Sequence, residues 1–140
     1  MARIAIVVGK FHEGQAKRMV AEVKKFCAKH SHSIASIVWV PGSMEKPLAL
    51  KRLLERPDVD GAVVLGIIER GETAHGIVMA NAVISNIIRM QIELDKPIGV
   101  GILGPEIFPS QIEPRVTAYA RHAVEALHHM LVEPKIRRKK

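Results

Sequence analysis

Cysteine is nearly missing from this chain of 140 residues. Cys27 stands alone, which excludes an intramolecular disulfide framework and a cysteine-built zinc cluster. Aromatic side chains are almost as scarce. Phe11, Phe26, Trp39, Phe108 and Tyr119 are the whole set, too few for a platform that stacks successive nucleic-acid bases. No apolar run approaches the length of a membrane span. The longest, such as Gly61–Ile68, are strand-sized, and residues 1–9 read as a strand rather than a signal peptide. No membrane association and a cytoplasmic location are therefore expected. The folded body also lacks an excess of one charge. Of 21 basic residues, five (Lys135, Arg137, Arg138, Lys139 and Lys140) stand in the last six positions, leaving 16 against 14 acidic residues over 1–134. A specific nucleic-acid partner is not expected. The chain reads as a single domain over 1–134 followed by a basic tail at 135–140, and its 48% of apolar residues is enough for a real core.

What is present is an alternation of short β-branched runs with helical patterns. Residues 3–9 form a strand without polar alternation, hence covered on both faces. Further strands are expected at about 33–40, 62–68 and 98–103. Helices are expected over 14–29, with Met19, Val20, Val23, Phe26 and Cys27 on one stripe, and from Pro47 to Pro57, carrying Leu48, Leu50, Leu53 and Leu54. A long helix follows from about Thr73 to Leu94, and a last one from Ser110 or Glu113 to Val132. Its start is ambiguous, because Ser110 and Glu113 read as a capping box while Pro114 prefers a later first turn. Four strands alternating with four helices imply right-handed crossovers and an α/β fold, a parallel sheet between two helical layers. Ligands of such sheets sit beyond the carboxyl ends of the strands, and the unusual loops of this sequence all lie there, at 9–14, 40–47, 66–75 and 101–105.

Within those loops, Gly71-Glu72-Thr73 leads into a helix, so backbone N–H groups and the Thr73 hydroxyl suit a phosphate. The bland alternative is that Thr73 caps the helix. His75 falls in the first helical turn, where the dipole favours a neutral imidazole base; read alone, it is equally a surface histidine. Pro41-Gly42-Ser43 is either an ordinary turn with a cap or part of the site. Phe11, just beyond the first strand, is placed to stack on a planar ligand or to plug the core. Among the other histidines, the pairs His30 with His32 and His128 with His129 offer no metal site: adjacent helical residues point apart and no carboxylate stands at matching spacing.

Together these segments resemble the lumazine synthase family of riboflavin biosynthesis, particularly its archaeal-type members. The motifs are Ile4–Phe11 (IAIVVGKF), Val40–Glu45 (VPGSME), Leu65–His75 (LGIIERGETAH) and Gln111–Arg115 (QIEPR), and the likeness covers about 3–133. It implies a four-stranded flavodoxin-like α/β/α sandwich, assembled as homopentamers or multiples of them, including shells. It also implies condensation of 5-amino-6-(D-ribitylamino)uracil with 3,4-dihydroxy-2-butanone 4-phosphate, with no metal or organic cofactor. By the same resemblance His75 transfers protons, Phe11 stacks on the pyrimidine, and Ser43, Met44 and Glu45 bind the ribityl chain and ring edge. Ile67 and Ile68 read the heterocycle through their backbone, with Glu69 next in the same stretch. Glu72 and Thr73 lie on the phosphate side, Arg115 clamps the phosphate, and Val100 is contributed by a neighbouring subunit. The chain departs from the family pattern where His12 replaces asparagine, Met44 phenylalanine, Glu69 an aliphatic residue, and Ala74 and Gly76 a proline and an aromatic. The family's second phosphate cation has no clear equivalent here; Arg121 is either that cation or part of a solvated helix face. A non-catalytic flavin- or phosphate-binding module, a shell protein of the same fold and the related archaeal riboflavin synthase are the competing readings.

The helix at 74–94 is apolar almost all round, more than one sheet face requires, which points to burial against other copies. In a five-fold ring Arg115 and Val100 are expected to reach the neighbour's Phe11, Ser43 and His75.

Overall fold

A computed structural model describes residues 2–138. Four strands, β1 (Arg3–Gly9), β2 (Ser33–Val40), β3 (Gly61–Glu69) and β4 (Ile98–Ile107), form one all-parallel sheet in the order β2-β1-β3-β4. The helices between them are α1 (Glu13–Lys29), α2 (Lys46–Leu54) and α3 (His75–Leu94). After β4 come a short α4 (Pro109–Ile112) and the long α5 (Val116–Val132). The strand order reverses direction at β1: the chain first moves outward to β2, then back across to β3 and β4. The carboxyl ends of β1 and β3 are thus neighbours at the switch point, the place where such sheets open a crevice.

The strand sequences divide between two cores by simple alternation. Ile4, Ile6 and Val8 of β1 and Val63, Leu65 and Ile67 of β3 face α1 and α5. Ala5, Val7, Ala62 and Val64 face α2 and α3. Because both faces are covered, β1 and β3 carry apolar residues or glycine at nearly every position, without polar alternation, as expected from the sequence. The result is the expected three-layer sandwich.

Several local expectations need correction. The third strand starts at Gly61, the long helix starts at His75 rather than Thr73, and Leu48 of α2 is exposed while Leu50, Leu53 and Leu54 are buried. β4 does not stop at Leu103. It continues past a cis Gly104–Pro105 bond to Ile107, which pairs with Glu69 across a register shift. Gly104 has φ 93, and a Cβ there would collide with the Ile68 carbonyl oxygen, so only glycine lets β4 approach β3 at this point. Finally, Ser110 and Glu113 form no capping box. The Gln111 side-chain oxygen accepts the Phe108 N–H at 2.8 Å, α4 ends at Ile112, and Glu113 reaches Arg18 at 2.6 Å.

α3 buries Ala80, Val83 and Ile87 against the sheet, while Ile77, Val78, Ile88 and Ile92 stay exposed, Ile92 to 76%. Among the described residues it is the one helix long and apolar enough to cross a membrane, a test that a covering helix with an unpaired apolar face also meets. Beyond α5 the chain turns at 134–137, and Arg138 Nε lies 3.0 Å from Asp95 Oδ2. Lys139 and Lys140 of the basic tail lie outside the described residues.

Candidate active site

A cavity of about 370 Å³ opens at the switch point, beyond the carboxyl ends of β1 and β3. One wall is the β1 exit, Gly9 and Phe11, and another is the turn after β2, Pro41, Gly42 and Ser43. Ile67, Ile68 and Glu69 of β3 form the third, and Gly71, Thr73, His75, Gly76 and Met79 close the side toward α3. Seven residues singled out in the sequence, namely Phe11, Ser43, Ile67, Ile68, Glu69, Thr73 and His75, are therefore brought together here. Met44, Glu45 and Glu72 are exposed beside the cavity's own segments and do not line it. Val100 and Arg115 are also absent from its walls. Val100 sits midway along the edge strand β4, opposite Val64, and Arg115 is exposed, its guanidinium donating to the Gln111 carbonyl at 3.0 Å. Arg121 is held at 3.2 Å by Glu22 and does not line it either.

The local chemistry of each segment explains these placements. Phe11 is 56% exposed because β1 ends at Gly9 and the next two residues turn out of the sheet. His12 takes the left-handed conformation, φ 55 and ψ 54, where asparagine is the least strained side-chain-bearing residue. Its Nε2 lies 3.1 Å from Glu69 Oε1, so two of the departures from the family pattern meet each other across the cavity rim. Thr73 Oγ1 accepts the backbone N–H of His75 at 3.3 Å, fixing the start of α3 beneath the imidazole. Arg70 extends the rim: its N–H donates to the Ile107 carbonyl at 2.8 Å, and its guanidinium pairs with Glu106 at 3.3 Å and lies over the Phe108 ring at 5.2 Å.

One site residue escapes a reading of the sequence. Lys46 lines the cavity with only 1% of its surface exposed. Its Nζ donates to Ser43 Oγ at 3.1 Å, and burial lowers its pKa to about 8 while nearby Glu45 opposes the shift. The signal that could have found it is periodicity, since Lys46 falls on the stripe that continues through Leu50, Leu53 and Leu54.

At the amino ends of the strands, three histidines meet in a way that the expectations from sequence do not cover. Residues nearly a hundred positions apart converge: His32 Nε2 meets His128 Nδ1 at 2.8 Å, and the His30 ring lies 4.6 Å from that of His128. Spacing along one helix says nothing about such a tertiary meeting. Among the described residues no group of three or more histidine, cysteine or carboxylate side chains is placed to hold a metal.

Similarity to known proteins points the same way as this geometry. The family model described as 6,7-dimethyl-8-ribityllumazine synthase matches residues 1–135. A protein of that name from Staphylothermus marinus is 37% identical over 131 residues, covering 94% of this chain and 87% of the relative. One from Metallosphaera sedula is 34% identical over 124 residues, 89% and 82% of the two chains. One from Thermus thermophilus is 40% identical over 103 residues, 72% and 66%. A match of that extent, on a sheet with this strand order and a crevice at its switch point, makes the chain a member of the 6,7-dimethyl-8-ribityllumazine synthase family.

Proposed function

We propose that the protein condenses 5-amino-6-(D-ribitylamino)uracil with 3,4-dihydroxy-2-butanone 4-phosphate to 6,7-dimethyl-8-ribityllumazine, phosphate and water. The observation that carries this reading is the gathering of Phe11, Ser43, Ile67, Ile68, Thr73 and His75 around one cavity in a chain matched by that family over 1–135. Phe11 offers a ring face to the pyrimidine, and the Ser43–Glu45 turn offers polar groups to its edge and ribityl chain. The loop before α3, with Glu72 and Thr73, takes the phosphate end of the second substrate.

The substrate's own amine is the nucleophile. It attacks the ketone and loses water to give an imine, and phosphate leaves by elimination to an enol that tautomerises to a ketone. The ribitylamino nitrogen then adds to that carbonyl and a second water leaves, closing the second ring. His75, exposed on the cavity wall, relays protons between these steps, a contribution of about 10²–10⁴-fold. Holding two reactants in contact supplies much of the rest, since effective molarities reach about 10⁵ M or more. No step calls for a metal or organic cofactor.

The working unit in this reading is a homopentamer, alone or built into larger shells, in the cytoplasm. The exposed apolar residues of α3, Ile77, Val78, Ile88 and Ile92, are then covered by neighbouring copies. Arg115 and Val100, away from the cavity of their own chain, serve the next subunit's site, with Arg115 as a bidentate phosphate clamp. The test is direct: purified protein mixed with both substrates develops the lumazine chromophore, and no chromophore under any substrate concentration overturns the assignment.

A further inference from the structure

A buried ammonium needs acceptors, and Lys46 has too few. An –NH3+ group carries three donors. Only one of them, to Ser43 Oγ at 3.1 Å, is used among the described residues, although the side chain is 1% exposed. The surroundings are built to admit the ammonium. It crosses the ends of β1 and β3 at two glycines: a Cβ on Gly9 would stand 3.2 Å from Cε and 3.3 Å from Nζ, and a Cβ on Gly66 would collide with Nζ. The nearest carboxylate in sequence, Glu45, is exposed and makes no bond to Nζ, so among the described residues the charge has no buried counter-ion. Burying a charge so poorly paired lowers stability, as the drop of its pKa to about 8 also indicates. Lys46 is one of the residues that line the cavity.

We propose that Lys46 is a substrate-binding residue, whose free ammonium donors take a carbonyl oxygen of the pyrimidine ring stacked against Phe11. This rests on the reading above only in naming the ring as the ribitylaminouracil. Pyrimidine carbonyls are strong acceptors on the rim of a flat apolar body, and the cavity offers them this one buried cation among the walls formed by Phe11, Ile67 and Ile68. Ser43 then orients the lysine rather than contacting substrate through its hydroxyl.

The experiment compares wild type with Lys46→Met, which keeps the volume and removes the donors, in steady-state kinetics and thermal melting. Expected is a rise of about tenfold or more in KM for the pyrimidine, an unchanged KM for the butanone phosphate, and a higher Tm. A lysine that only holds the 43–45 turn in place gives the opposite signature, a lower Tm with both KM values raised, and that result overturns the proposal. So does an unchanged pyrimidine KM. If Lys46→Met fails to fold, Gly66→Ala takes its place, because the added methyl displaces Nζ; the same selective rise in pyrimidine KM is expected, and its absence counts against Lys46. Wild type without lumazine formation overturns the functional assignment, and this inference with it, whereas an active wild type with an indifferent Lys46 overturns the inference alone.

Discussion

His32 Nε2 and His128 Nδ1 share one proton across 2.8 Å. The direction of sharing follows from a third group: the Ala2 N–H donates to His32 Nδ1 at 3.2 Å, so the His32 proton sits on Nε2 and His128 is the acceptor. Both bonds require both rings to be neutral. Burial is the main cause that lowers the pKa of each ring, followed for His32 by His128 and for His128 by His30.

This pair predicts acid sensitivity. Above the ordinary histidine value of 6.5 both the folded and unfolded chains hold these rings neutral, and the pair contributes in full. As pH falls below that value, the unfolded chain binds protons first, so stability drops. Urea midpoints at pH 7.5 and 5.0 measure the loss. His128→Gln, whose amide oxygen still accepts but does not titrate, is expected to shrink the difference.

Lys46 predicts a slope of the same sign in alkali. Its proton leaves the folded protein near pH 8 but stays on the unfolded chain up to about 10.5. Between those values the unfolded state binds more protons, so stability rises with pH, by up to about 3 kcal/mol over the window. Chemical denaturation at pH 7.5 and 9.5 should show the gain in wild type and not in Lys46→Met.

His75→Ala should fold and assemble normally, because the side chain is exposed and the bond to Thr73 uses the His75 backbone. Turnover is expected to fall at least about tenfold. A fully active variant reduces His75 to a helix-start surface residue.

A shared site predicts complementation. His75→Ala and Arg115→Ala should each be nearly inactive, yet co-refolded in equal amounts about a quarter of sites should recover both residues by random pairing in a ring. Verified hybrid rings without activity place both residues in one subunit's site.

Deleting residues 135–140 should leave turnover unchanged. The truncation removes the Arg138–Asp95 ion pair, which joins two exposed side chains and is worth about 0–1 kcal/mol. A loss of lumazine formation in the shortened protein would give the tail a part in the chemistry.

The sheet is legible in the sequence because β1 and β3 are covered on both faces, which forces the β-branched runs that mark them. The end of β4 is not, because Gly104 and Pro105 carry the residue signature of a turn while tertiary contact with Ile68 holds them in the strand. Loop residues such as Phe11, Thr73 and His75 stand out through their motifs, and their common cavity follows from the strand order. Lys46 escapes because a charge on an apolar stripe reads as a solvated helix end, and only the glycines on two other strands show that it turns inward. The histidine pair escapes because its partners stand 96 residues apart.

Gly9, Lys46 and Gly66 come from three separate segments, yet they share one small volume. Such positions cannot drift independently. A lineage that keeps the lysine gains a side chain at Gly66 only by displacing the ammonium, and at Gly9 only if the lysine end gives way slightly, whereas one that replaces it with something shorter opens room that alanine or serine can fill. The three sites are thus a single heritable unit, and among relatives the glycine at 66 should be most constrained wherever a lysine stands at 46.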